Sequence, residues 1–186
     1  GTAYSIVRNY LKNKDPHLKL FIIHRLDRDT SGLMMFAKNI EAKEAMQHNW
    51  NNMVLSRTYV AVVEGKVEEE SGTVRSYLAE TSQYEVYSTQ NPEEGQLAIT
   101  RYKRLDCRHG YSLMELSLDT GRKNQIRVHM KDLGHPIVGD RKYGAKSSPL
   151  RRMALHARTL RFVHPVTRKD MLFETPIPSR FLSLLK

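Results

Sequence analysis

The residues best suited to chemistry fall in one stretch, His24-Arg25-Leu26-Asp27-Arg28-Asp29-Thr30-Ser31-Gly32. Asp27 lies between Arg25 and Arg28, just after the apolar run Leu18 to Ile23. Neighbouring positive charge favours the anionic form of a carboxylate. An ionised, oriented carboxylate can attack a sugar carbon, as in retaining glycoside chemistry. Asp29 is a candidate second carboxylate for such a pair. Asp29-Thr30-Ser31-Gly32 also fits a turn whose side chains satisfy backbone N–H groups, and the turn is the preferred reading. For Asp27, a structural salt bridge and a catalytic role stay equally open on composition.

A second cluster is Thr120-Gly121-Arg122-Lys123-Asn124-Gln125-Ile126-Arg127-Val128-His129. Glycine permits a tight turn into a helix. The first turn then offers Arg, Lys, Asn and Gln donors with free backbone N–H groups, a cradle suited to phosphate. The bland alternative is a solvated basic face. Other motifs fail. Gly134 to Gly139 has P-loop glycine spacing, but Asp140-Arg141 follows where Lys and Ser/Thr are required. There is no G-x-G-x-x-G, H-E-x-x-H or G-x-S-x-G. His129 and His135 are better read as ordinary polar residues than as metal ligands. Cys107, the single cysteine, excludes an internal disulfide and reads as passive.

The elements that must position these residues follow from periodicity. Ala3, Ile6, Val7, Tyr10 and Leu11 recur at helical spacing, so 3–12 reads as a helix. Leu18 to Ile23 and Gly32 to Ala37 read as buried strands flanking the polar stretch. Ile40 to Trp50 is rich in helix formers. Thr58 to Val63, Ala98 to Tyr102, Ser112 to Leu118 and Leu155 to Val163 read as strands, with Cys107 to Gly110 in a turn. Ile126, Met130 and Leu133 predict a helix from Asn124, with Gly134 past its end. Ser179 is placed to cap a last helix over 180–185. The sum is an α+β fold, a mixed and mostly antiparallel sheet with a central cleft and flanking helices.

The chain has 186 residues, one domain's length, and a net charge of +10. Residues 1–93 carry 11 Lys+Arg against 12 Asp+Glu, and residues 94–186 carry 19 against 8. A basic half on a neutral half points to a polyanion, most simply nucleic acid. No run of 18 apolar residues exists to span a bilayer, and no signal-peptide core opens the chain, so the cytoplasm is the expected compartment.

Together these pieces resemble the catalytic domain of the RluA-type pseudouridine synthases. His24 to Gly32 is similar to that family's H-R-L-D-x-x-T-S-G signature. Arg57-Thr58-Tyr59-Val60-Ala61-Val62-Val63-Glu64-Gly65 resembles its second motif, a basic residue shortly before tyrosine in a strand. Gly121 to His129, then Gly134 to Asp140, Tyr143 and Gly144, resemble its third. Leu155-His156-Ala157 and His164-Pro165 resemble its C-terminal segment.

The resemblance implies isomerisation of uridine to pseudouridine in ribosomal or transfer RNA, by a monomer. That reaction transfers no electron, hydride or phosphate, so no cofactor and no metal is expected. Asp27 falls on the essential aspartate and Tyr59 on the tyrosine that stacks on uracil. Arg127 falls on the basic partner of the aspartate, and Arg25 on the arginine that enters the RNA stack. Gln125 and Ile126 fall near the base pocket. Arg28, Arg122, Lys123 and Asn124 complete the expected RNA contacts. The family often has Thr-His where this chain has Lys123-Asn124. Its usual first strand, with an Asn-Lys-Pro motif, and its S4 domain have no counterpart here. The 186 residues therefore read as a single catalytic domain trimmed at its N-terminus. A non-catalytic RNA-binding module is the alternative; a nucleoside hydrolase would need two working carboxylates and no basic half.

Overall fold

The computed structural model describes residues 1–186. Helix α1 (Ala3–Lys14) opens the chain. Thr2 caps it, accepting from the Ser5 N–H while its own N–H donates to Ser5 Oγ. The next three strands are two residues each: β1 (Phe21–Ile22), β2 (Ser31–Gly32) and β3 (Phe36–Ala37). The long strands expected over Leu18 to Ile23 and Gly32 to Ala37 are therefore shorter than their apolar runs. The reason is the ladder: β1 and β3 meet only at Phe21↔Ala37 and Ile22↔Phe36. The expected helix from Ile40 ends at His48 as α2 (Ile40–His48), and a separate turn, α3 (Trp50–Met53), follows Asn49.

The main sheet then builds from β4 (Val54–Glu64), β5 (Ser71–Glu80), β6 (Val86–Thr89), β7 (Gln96–Arg108), β8 (Tyr111–Leu118), β9 (Leu155–Val163) and β10 (Asp170–Glu174). Its order is β10-β9-β4-β8-β7-β5-β6, with every neighbour antiparallel. β2 joins the far edge of β9 in parallel, so the sheet is mixed. β5, β6 and β10 are strands that periodicity did not reveal. On β5 the inward positions are Gly72, Val74, Ser76 and Leu78, so small and polar residues mute the alternation. Cys107 belongs to β7, not to the turn, which is His109-Gly110.

Helix α4 (Gln125–Asp132) follows β8, has Leu133 at its C-cap, and is closed by Gly134 in the left-handed conformation. The last helix, α5 (Ser179–Leu182), is capped at Pro178 rather than Ser179. β4 is central and buried on both faces, which is why Val60-Ala61-Val62-Val63 is continuously apolar. The main core joins these residues to Leu113, Leu116, Ile126 and Met130. A second core packs Met46 and Met53 on Leu160 and Phe162 of β9.

His129, buried on α4, has no water to hydrate a charge. Its Nδ1 lies 2.7 Å from Thr100 Oγ1 and its Nε2 3.0 Å from Ser76 Oγ. Burial pushes its pKa down to about 4, and burial does the same to His24. The unfolded chain binds these protons near the ordinary value of 6.5, whereas the fold refuses them until about 4. The stability they contribute is thus complete above 6.5 and is lost as pH falls toward 4, at up to ~3 kcal/mol per histidine. Urea unfolding between pH 7 and 4.5 should reveal this decline, and His129→Gln should make it shallower, the His24 contribution remaining.

Candidate active site

The site begins with a strand pairing of two residues. Ser31 and Gly32 of β2 lie beside His156 and Ala157 of β9, and the Leu33 N–H donates to Ala157 O at 2.9 Å. A Cβ on Gly32 would stand 2.1 Å from that same oxygen, and the residue has φ +110°, so only glycine lets the loop dock. Ser31 Oγ lies 2.8 Å from His156 Nδ1, and His156 Nε2 lies 2.7 Å from Thr175 Oγ1. Upstream, the Met35 N–H donates to His24 Nε2 at 2.9 Å. Between these anchors a tight turn forms, with the Thr30 N–H donating to Asp27 O at 3.0 Å. The signature stretch is thus a clamped loop whose purpose is to present Asp27.

β4 supplies the opposite wall. Tyr59 pairs with Ala157, the residue that also pairs with Gly32, so the loop and Tyr59 meet across β9. The register of β4 on β9 slips between Thr58 and Tyr59. Arg57 and Tyr59 stand two residues apart on one strand and line the same cavity. That inner cavity, about 90 Å³, is bounded by Asp27, Thr30, Arg57, Tyr59, Ile126 and Leu155 among others. A wider one of about 520 Å³ adjoins it, lined by Arg25, Arg28, Arg122, Lys123 and Arg127 with Asp27. Asp27 therefore stands where a small, partly apolar pocket meets a cationic vestibule.

Arg127 reaches Asp27 from α4, with Nη1 3.6 Å from Oδ2. Its main partner is Asp140: Nε and Nη2 donate to the two carboxylate oxygens at 2.7 and 2.8 Å. Asp140 is almost wholly buried, its side chain 2% exposed. Asn124 Oδ1 accepts from Arg127 Nη1 at 3.0 Å, and the guanidinium lies over the Tyr143 ring. Charge neighbours alone predict a lowered pKa for Asp27. Burial instead pulls it above the ordinary carboxylate value, with Arg127 and then Arg25 opposing the rise. Burial also raises the Tyr59 hydroxyl.

Most of the predicted residues converge here, but they play different parts. Asp27, Tyr59, Arg127, Arg25 and Arg28 line the two cavities. Arg122 and Lys123 line the vestibule; Arg122 Nε donates to Leu97 O at 3.0 Å, and Lys123 is tied to Glu80. Asn124 and Gln125, expected to contact substrate, border the inner cavity, and their amides also hydrogen-bond within the protein. Asn124 sits in the left-handed conformation and donates to Tyr143 Oη at 3.0 Å. Gln125 Oε1 accepts from Thr120 Oγ1 and the Arg122 N–H, while Nε2 donates to Ile99 O and Thr100 Oγ1. The Arg122 N–H is therefore not free for phosphate. Ile126 lines the inner pocket and joins the main core. Asp29 lines a different depression with Arg141, Arg151 and Arg152. Of the remaining late cations, Arg158 and Arg161 pair with Glu115 and Asp170. Sequence reasoning missed Asp140, Arg57, Thr30 and Tyr143 as parts of the site. Asp140 and Tyr143 lie within the quoted third motif, but nothing in their spacing reveals a partner for Arg127.

A family model for RNA pseudouridylate synthases matches residues 2–132. The chain belongs to the RNA pseudouridylate synthase family. It is 36% identical to the uncharacterized RNA pseudouridine synthase YhcT of Bacillus subtilis, over 100% of this chain and 62% of that protein. It is 35% identical to ribosomal large subunit pseudouridine synthase D of Haemophilus influenzae, over 88% of this chain and 54% of that protein. The chain thus spans a little over half the length of these curated relatives. Among solved structures it is similar to human RNA pseudouridylate synthase domain containing 1. The TM-score is 0.78 at 27% identity, covering 92% of this chain and 74% of that one. No helix is long and apolar enough to cross a membrane.

In this member of the pseudouridylate synthase family, Asp140 is the anchor of the whole arrangement. Removing one partner of a buried ion pair leaves the other charge uncompensated. Asp140→Asn should cost ~3 kcal/mol of folding stability, measured by urea unfolding at pH 7. An exposed pair offers the control: Asp170→Asn, facing Arg161, should leave the unfolding midpoint almost unchanged.

Proposed function

We propose that this chain isomerises specific uridines in structured ribosomal or transfer RNA to pseudouridine. The observation that carries the reading is the placement of Asp27 at the junction of the base-sized pocket and the cationic vestibule. A flipped nucleotide has those two requirements, a partly apolar slot for its base and positive charge for its phosphates. Extrusion costs a few kcal/mol, and stacking on an aromatic ring repays roughly 1–3 kcal/mol. In this reading Tyr59 stacks on the uracil and Arg25 enters the gap left in the RNA.

Asp27 then acts at the ribose, by attack on C1′ or by removing the 2′ proton. The C1′–N1 bond breaks and its electron pair leaves with the uracil. The ring turns within the pocket and forms the C1′–C5 bond, as Asp27 departs from C1′ on the first route or returns the proton to C2′ on the second; C5 loses a proton and N1 gains one. Product and substrate are isomers, so the reading calls for neither cofactor nor metal. We further read the 186 residues as one catalytic domain, acting as a monomer in the cytoplasm.

RNA tritiated at C5 of uridine loses its label in this reaction. Ribosomal and transfer RNA transcribed in vitro supply the probe. Asp27→Asn should abolish release while binding the same RNA within about threefold of wild type, because the vestibule cations are unchanged. Unchanged release by the variant would falsify the role of Asp27. Wild-type binding without any release would favour a non-catalytic RNA-binding module instead.

Arg127 opposes the burial that raises Asp27. A carboxylate that works ionised loses activity as pH falls through its folded pKa. Arg127→Met should move the acid limb of the pH–rate profile to higher pH, and an unmoved limb would remove Arg127 from the control of Asp27.

A further inference from the structure

The inner cavity holds a cation that the roles above do not use. Arg57 projects from β4, two residues before Tyr59, and borders the cavity with Asp27 and Thr30. Its guanidinium makes no hydrogen bond and no ion pair within the protein, and burial lowers its pKa. Its only close partners are soft ones. The carbon of the guanidinium lies 5.4 Å from the centroid of the Trp50 ring, which in turn packs on His24. The tip lies against Gly121, where an added Cβ would come within 2.7 Å of Nη1. Gly121 lines the same cavity, so a side chain there would block the head of Arg57.

A desolvated cation with no anionic partner is costly unless something completes it. The other cations that border this cavity differ in setting: Arg122 donates to a carbonyl, and Arg25 is exposed, where water can hydrate it. Thr30 Oγ1 is the second incomplete group: it is buried without a hydrogen-bond partner and borders the same space. Buried polar atoms left open in a cavity are the places where a ligand's polar atoms belong.

We propose that Arg57 is a further catalytic residue that binds the uracil as it leaves C1′ and stabilises the negative charge developing on the ring. The assignment rests on the isomerase reading above. When the C1′–N1 bond breaks, its electron pair passes to the uracil and spreads over N1 and the carbonyl oxygens. This charge exists only after bond breaking begins. A cation already placed in the pocket therefore favours the transition state over the ground state. Both routes open to Asp27 release the same anion, so the role of Arg57 does not depend on which one operates. Once the C1′–C5 bond has formed and N1 is protonated, the ring is neutral again and Arg57 holds it no longer.

The test varies the leaving group. Fluorine at C5 withdraws electrons and makes uracil a better leaving anion, so 5-fluorouridine needs less help. Single-turnover rates are measured on in vitro transcribed ribosomal and transfer RNA containing either uridine or 5-fluorouridine. Conversion to the C-glycoside is followed by chromatography after digestion. Arg57→Gln should slow uridine conversion by about 100-fold, with RNA affinity within about threefold of wild type, as loss of one transition-state donor does. The deficit should shrink by about tenfold on 5-fluorouridine. Arg57→Lys keeps the charge and should stay within about tenfold of wild type; it also stands in if the Gln variant fails to fold.

Wild-type rates for Arg57→Gln would overturn the proposal. So would equal deficits on both substrates with affinity lost in step, which marks a phosphate contact. A folded Lys variant as slow as a charge-removing one would also overturn it. A wild-type chain that converts no uridine, while binding the RNA, would sink the isomerase reading itself. Loss of activity in Asp27→Asn but not in Arg57→Gln would sink the Arg57 role alone.

Discussion

The buried guanidinium of Arg127 ties together parts of the chain more than a hundred residues apart. One edge forks onto Asp140, and one nitrogen reaches Asp27. Neither carboxylate is comfortable alone in that place, because desolvation penalises the charged form. The cation makes both tolerable, and Asn124 and Tyr143 fix its plane. The geometry at Asp27 therefore depends on α4 and on the loop carrying Asp140. An error in either would leave a charge buried without a partner, which is the expensive failure for a protein interior.

The sheet serves this arrangement by splitting one edge of β9. Its first residues receive β2 in parallel, and the rest pair with β10. A two-residue strand contributes little by itself. Here it is reinforced by Gly32 against Ala157 and by the Ser31–His156–Thr175 chain of hydrogen bonds. The polar stretch can then remain irregular without being loose. Its cost is borne by β4, whose double-sided burial anchors the middle of the sheet.

The surface and the pocket divide the work by charge. The vestibule cations are mostly exposed and suit a flexible polyanion. The inner pocket is smaller and mixes apolar walls with charged side chains. Asp27 stands at the boundary, and burial lifts its pKa although three arginines flank or face it. Neighbouring charge in the sequence was a poor guide to that direction, because burial is a property of the folded surroundings.

The residue order determined a good deal. Periodicity marked α1, α4 and β8, and a continuous apolar run marked β4, which is buried on both faces. The clustered signature around Asp27, with Tyr59 and Arg127 in later motifs, was legible as a candidate site before any geometry. The lopsided charge pointed to a polyanion. Muted strands such as β5 escaped, because Gly72 and Ser76 occupy inward positions without being apolar. Only the tertiary structure decided which charges are paired and which are free. Asp140 proved to be Arg127's chief partner, Asn124 and Gln125 to be internal braces, and Arg57 to be an open cation in the pocket. Spacing along a chain specifies a face, whereas pairing and desolvation depend on distances between segments that the sequence leaves far apart.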